Sequence, residues 1–168
     1  MKVFKYIVFV CLAAVVFGCK IQYGFTQPSS IKAETFQVNR FENTSLLFEP
    51  GLDLLFQNTL QDLIVDQTNY KLETTNADLV YEGEITDYRI SPTTATSDNR
   101  AAQNRLTISV RVRFYNRNNE EDDLEQTFSF FYDYPGGAQL VGGQKTTAHE
   151  EIFDRITQDI VNATLAKW

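Results

Sequence analysis

Two kinds of side chain in this sequence have the chemistry to act on another molecule: a single histidine and a row of arginines. His149 stands beside Glu150, and a Ser-His-acid triad or a zinc site would have to be built on that one imidazole. Its place at the expected start of a helix points instead to a capping or solvent-facing role. Gly136-Gly137 and Gly142-Gly143 are not followed by Gly-Lys-Ser/Thr, so no phosphate loop is present. Glu82 and Glu84 share one strand face without a recognisable cleft. The chain therefore reads as a non-enzyme with no metal and no cofactor. Arg105, Arg111 and Arg113 share the polar face of one strand, with Arg100 before it and Arg117 in the turn after it. Guanidinium groups grip phosphates bidentately, so Arg100, Arg105, Arg111 and Arg113 are the candidate contacts to a phosphorylated ligand or a partner. The competing arrangement is cross-strand pairing of Arg111 and Arg113 with Glu82, Glu84 or Glu125.

The N-terminus carries a different chemistry. Lys2 and Lys5 precede an unbroken apolar run from Tyr6 to Phe17, and Gly18 places a small residue directly before Cys19. This is the order of a secretory signal, and Val16-Phe17-Gly18-Cys19 resembles the bacterial lipobox, whose cysteine is acylated. The apolar run is far short of the ~20 residues a membrane-spanning helix needs. The expected product is a lipid-anchored protein cleaved before Cys19, with two or more acyl chains making attachment stable. Cys11 leaves with the signal, so no disulfide is expected. Two of the fifteen basic residues leave too, and the remaining thirteen against twenty-two acids give a net charge of −9 with His149 neutral. Nucleic acid would repel such a chain.

These residues need a scaffold, and the pattern of apolar residues supplies one. Residues 19–30 read as a polar tether and residues 31–168 as one domain, large enough to bury a core. Thr35 to Val38 reads as a strand. Pro50-Gly51 then opens an amphipathic helix with Leu52, Leu55, Phe56, Thr59, Leu60, Leu63 and Ile64 on one face. Tyr70 to Leu72 is a short strand, and Leu79 to Ile90 a longer one whose apolar phase slips near Asp87, the mark of a β-bulge. Ser91 to Asn104 is polar and reads as a long mobile contact loop. Leu106, Ile108, Val110, Val112 and Phe114 alternate with polar residues in the clearest half-buried strand. Asn116 to Asp123 turns it back into Leu124 to Tyr134, where Phe128, Phe130, Tyr132 and Tyr134 share a face. Thr147 and Glu150 suggest a capping box for a final helix, buried through Ile152, Phe153, Ile156, Ile160 and Ala163, with Trp168 expected to pack beneath it. The expected fold is α+β: a two-layer sandwich with two helices on one face of a mostly antiparallel four- to five-stranded sheet.

The order Phe36-x-Val38-x-x-Phe41-x-Asn43, an amphipathic helix, Asp78-Leu79-x-Tyr81-Glu82-Gly83-Glu84-Ile85-Thr86-Asp87-Tyr88, Asn104-Arg105-Leu106-Thr107-Ile108-x-Val110 and a closing helix with Glu151-Ile152 resembles the LptE family of lipopolysaccharide-assembly lipoproteins, in its Bacteroidetes form. The resemblance is one of ensemble, spread over nearly the whole mature chain. It implies a lipoprotein on the periplasmic side of the outer membrane that plugs an LptD-like β-barrel, helps it fold and contacts lipopolysaccharide. Lys20, with no acidic run after it, fits outer-membrane delivery by analogy with lipoprotein sorting. The residues themselves leave open another class, an assembly-factor or ligand-binding lipoprotein of similar fold.

Overall fold

The computed structural model describes residues 31–95 and 101–166. Cys19, Arg100 and Trp168 lie outside them, as do the signal and tether. Six strands and two helices follow in order: β1 (Thr35–Val38), β2 (Glu42–Asn43), α1 (Leu52–Gln67), β3 (Lys71–Leu72), β4 (Leu79–Ala95), β5 (Ala101–Asn116), β6 (Leu124–Pro135) and α2 (Gly142–Leu165). One sheet holds the strands in the order β3-β1-β4-β5-β6, with β2 continuing along β4 beyond β1. The two long pairings, β4 with β5 and β5 with β6, are antiparallel, and the short strands β1, β2 and β3 add parallel pairs at one side. The α+β expectation holds, with a mixed sheet.

The core lies between the helices and one sheet face. α1 buries Leu52, Phe56, Leu60 and Ile64, a strict four-residue repeat that keeps one stripe toward the sheet. Gly51, at φ +78, is the residue that lets the chain turn sharply into this helix. Phe56 meets Phe41 edge-on at 4.9 Å between centroids and Phe153 of α2 at 5.2 Å, so aromatic contacts join the sheet edge to both helices. Tyr81, Leu106, Ile108, Val110, Val112 and Phe114 floor the core from the sheet. Gly83 is required by closeness: a Cβ there would run into the Arg111 carbonyl and lie 2.9 Å from the Phe41 ring.

The bulge expected near Asp87 is present, as a register shift between Ile85 and Asp87. Three other expectations are corrected. Ser91 to Asn104 is not a loop over its length: β4 continues to Ala95 and β5 resumes at Ala101, with Ser91 opposite Arg105 and Pro92 opposite Asn104. This arm of β4 and β5, flanked by β6 only as far as Gln103, carries exposed or half-buried residues at 91–93 and has little face to bury, so its strands lose apolar alternation and look like loop. Thr147 does not cap α2, which begins five residues earlier with Val141 in the capping position and no side-chain cap. Gly142, at φ +55, makes the turn into the helix, so the glycine pair begins the element it was expected to precede. His149 consequently sits inside the helix and is only 6% exposed.

Candidate functional site

The sheet face away from the helices carries the arginine row. On a pleated strand, residues two apart share a face, so Arg105, Arg111 and Arg113 line up with Glu82 and Glu84 of β4 and with Glu125 and Asp133 of β6. Arg105 forks onto Asp133, its Nε and Nη2 donating at 2.7 and 2.8 Å, and its guanidinium lies 3.6 Å from the centroid of the Phe131 ring. Arg111 Nη1 donates to Glu84 at 3.1 Å. Arg113 Nε faces Glu82 at 3.2 Å, close enough for charge attraction but not aligned as a hydrogen bond. Arg117 sits apart, in the turn, against Asn76. The structure therefore brings Arg105, Arg111 and Arg113 together and gives each a carboxylate. Asp133 is held below the usual carboxylate range by the Arg105 hydrogen bonds, and the same contact raises Arg105. All three guanidiniums remain between one third and one half exposed, with donors still open to solvent.

At the edge of this face Asn39, Arg40, Glu42, Glu82, Glu84 and Arg113 surround an open groove of about 370 Å³. Among the described residues, no group of histidines, cysteines and carboxylates could hold a metal ion, and no helix is long and apolar enough to cross a membrane.

A second cluster lies at one end of the molecule, and sequence reasoning missed it. His149 Nε2 of α2 and the Tyr88 hydroxyl of β4 are 3.0 Å apart in the interior. The imidazole also stacks toward Phe153. Burial pushes the Tyr88 hydroxyl up to about 12, helped by Glu49 and Tyr134, and lowers His149 against the opposing pull of Glu49. Glu49 itself is bound by Lys145 at 2.7 Å. Just before Glu49, Leu46, Leu47 and Phe48 project into solvent, 102%, 54% and 67% exposed. Asn43 and Ser45 clasp this tip: Asn43 Oδ1 accepts from the Ser45 hydroxyl at 2.6 Å, Asn43 Nδ2 donates to the Glu49 carbonyl, and the Ser45 hydroxyl also reaches the Leu47 carbonyl. The available signal was three consecutive large apolar residues outside any periodic run. Nothing in the sequence pointed to the partnership of Tyr88 and His149.

A family model for lipopolysaccharide assembly, LptE, matches residues 33–164. The chain belongs to the LptE family. That family is one of lipopolysaccharide-assembly lipoproteins, not of enzymes. No curated protein matches the chain. Among solved structures, lipoprotein B of Nitrosomonas europaea, described as uncharacterized, is similar over 86% of this chain and 88% of its own, at 12% identity and a TM-score of 0.56. The hypothetical protein CT253 of Chlamydia trachomatis is similar over 81% of this chain and all of its own, at 10% identity and a TM-score of 0.56. At such identities the likeness is one of fold alone.

Proposed function

We propose that this protein is acylated at Cys19, is held on the periplasmic side of the outer membrane, and acts there as plug and assembly partner of an LptD-type barrel that inserts lipopolysaccharide in the outer leaflet. The observation that carries this reading is the family match across almost the entire described domain. The build of the domain is compatible with it. The described chain begins where β4 starts, with the Ile31 carbonyl accepting from the Tyr70 hydroxyl and the Lys32 carbonyl from Asn118. The apolar tip after β2 and the arm of β4 and β5 lie farther along β4 from that point. No step of this function needs bond chemistry; shape and polar contact suffice.

Arg105 and Arg111, with Arg100 and Arg113, are the proposed contacts to lipopolysaccharide phosphates or the barrel wall. An anion has to share or displace a carboxylate at each described arginine, and ion pairs this open to water are weak, so such an exchange is cheap. The test is a mild-detergent pull-down of the tagged, acylated protein. A barrel recovered in near-equal amount is the expected result, and its absence from folded, acylated protein would refute the plug. The same pull-down with Arg105 and Arg111 both replaced by alanine, read for lipopolysaccharide as well, should lose one of the two ligands. Unchanged binding of both would remove the arginines from the contact.

A further inference from the structure

β6 is the last strand of the sheet on its side, twelve residues long. Which of its backbone groups are used by β5 follows from two side-chain hydrogen bonds. Thr86 Oγ1 of β4 donates to the Ser109 carbonyl, so odd-numbered residues of β5 turn their backbone groups toward β4. Ser129 Oγ of β6 donates to the Ile108 carbonyl, so even-numbered residues of β5 turn theirs toward β6. Ile108 stands opposite Phe130, and residues that exchange hydrogen bonds in an antiparallel ladder do so with both N–H and C=O. Phe128, Phe130 and Tyr132 therefore bond to β5. Thr127, Ser129, Phe131 and Asp133 direct their N–H and C=O outward, and among the described residues nothing is bonded to those groups.

Natural sheets guard such an edge with charged side chains, lysine above all, with proline, a bulge or a very short strand. In β6 the charges, Glu125 and Asp133, and the one proline, Pro135, stand toward the ends, residues 126–132 carry neither charge nor proline, and the ladder with β5 runs without a register shift. The residues whose backbone faces outward are also exposed. The edge is long, regular and open.

We propose that this edge is a strand-addition site, filled by an extended segment of the barrel partner; the inference rests on the plug reading above. Backbone hydrogen bonds supply affinity in such additions and alternating side chains supply selectivity. On the helix side the incoming strand meets Phe128, Phe130 and Tyr132, which favours apolar residues at every second position. On the other side it meets Thr127, Ser129 and Phe131, which favours small polar ones. β6 starts beside the acidic turn of Glu120, Glu121, Asp122 and Asp123, so the end of the segment that reaches this turn carries lysine or arginine. A second copy of this chain fits less well. Antiparallel self-pairing centred on Ser129 sets Glu125 of each copy against Asp133 of the other, two like-charge oppositions.

Residue-resolved hydrogen–deuterium exchange on the full acylated protein, alone and in the purified barrel complex, tests the proposal. The amides of Thr127, Ser129 and Phe131 are expected to exchange fast in the free protein and to become protected in the complex, while Phe128, Phe130 and Tyr132 are protected in both. Ser129→Pro removes one outward donor, a change edges tolerate, and is expected to lower barrel recovery about tenfold, the loss of one backbone bond plus the intrusion of the ring. A barrel present with the odd-numbered amides still fast would overturn the inference alone. So would protection of those amides in the free protein that grows with its concentration, the signature of a second copy. Absence of a barrel from the wild-type preparation would overturn the plug reading and this inference with it.

Discussion

Lowering the pH from 7.5 to 5 is expected to destabilise the domain through His149. The imidazole is buried, pairs with the Tyr88 hydroxyl, and has its pKa lowered from 6.5, first of all by burial. In the unfolded chain the same imidazole takes up a proton near 6.5. Below that pH the unfolded state binds more protons than the folded one, so stability falls as pH falls, and the contribution is intact above about 6.5. The slope cannot exceed about 1.4 kcal/mol per pH unit for one site, which bounds the loss between pH 6.5 and 5 at about 2 kcal/mol. The carboxylates act in a different window. Asp78 and Asp133 have pKa values lowered from 3.8, so the stability they contribute is present above that value and lost only at lower pH. Urea unfolding of the mature domain at half-unit pH intervals measures the slope directly. His149→Gln, neutral at every pH, should be less stable at pH 7.5, because a buried polar contact is disturbed, and should flatten the profile between 6.5 and 5. A wild-type profile already flat in that window, or one with an equal slope in the variant, would refute the reasoning.

Gly83→Ala is expected to destabilise by about 1–3 kcal/mol, the usual range for an overpacked core, because its methyl group meets a strand carbonyl and the Phe41 ring; a lowered urea midpoint at unchanged m-value checks it. Replacing Leu46, Leu47 and Phe48 together by serine is expected to leave the unfolding free energy from urea titration within about 0.5 kcal/mol of wild type, since all three side chains already face solvent. A large loss of stability there would mean the tip packs against the domain.

The sequence carried the layers of this fold because layers are written in side-chain period. Phe56, Leu60 and Ile64 recur as a helix stripe, and Leu106, Ile108 and Val110 alternate as a half-buried strand, and each pattern follows from having one face in the core. Where an element has no face in the core, the period vanishes. Thr93, paired across the arm with its Oγ1 on the Gln103 carbonyl, lies in a strand that reads as loop for this reason. His149 misled in the opposite sense: a polar residue two positions after a plausible cap looks like a helix start, and only the left-handed turn at Gly142 moves the start upstream and carries the imidazole into the interior.

The arginine row shows the same boundary between face and neighbour. Alternation along β5 was enough to put Arg105, Arg111 and Arg113 on one face. The pairing expected of Arg111 and Arg113 with carboxylates of a neighbouring strand is also found, with Glu84 and Glu82, but the choice among the candidates and the pairing of Arg105 with Asp133 depend on which strands flank β5 and in what register, a property of the assembled sheet. Edge status is further out of reach, because it depends on the order of all the strands at once. Period two tells which side chains of β6 face the helices. It does not tell that Thr127, Ser129 and Phe131 also turn their backbone groups to the open side. That follows only when Ser109 is seen to serve β4 and Ile108 to serve β6. The same half of the β6 residues thus supplies both the exposed side chains and the free hydrogen-bonding groups, so a strand added there would meet backbone and recognition surface together.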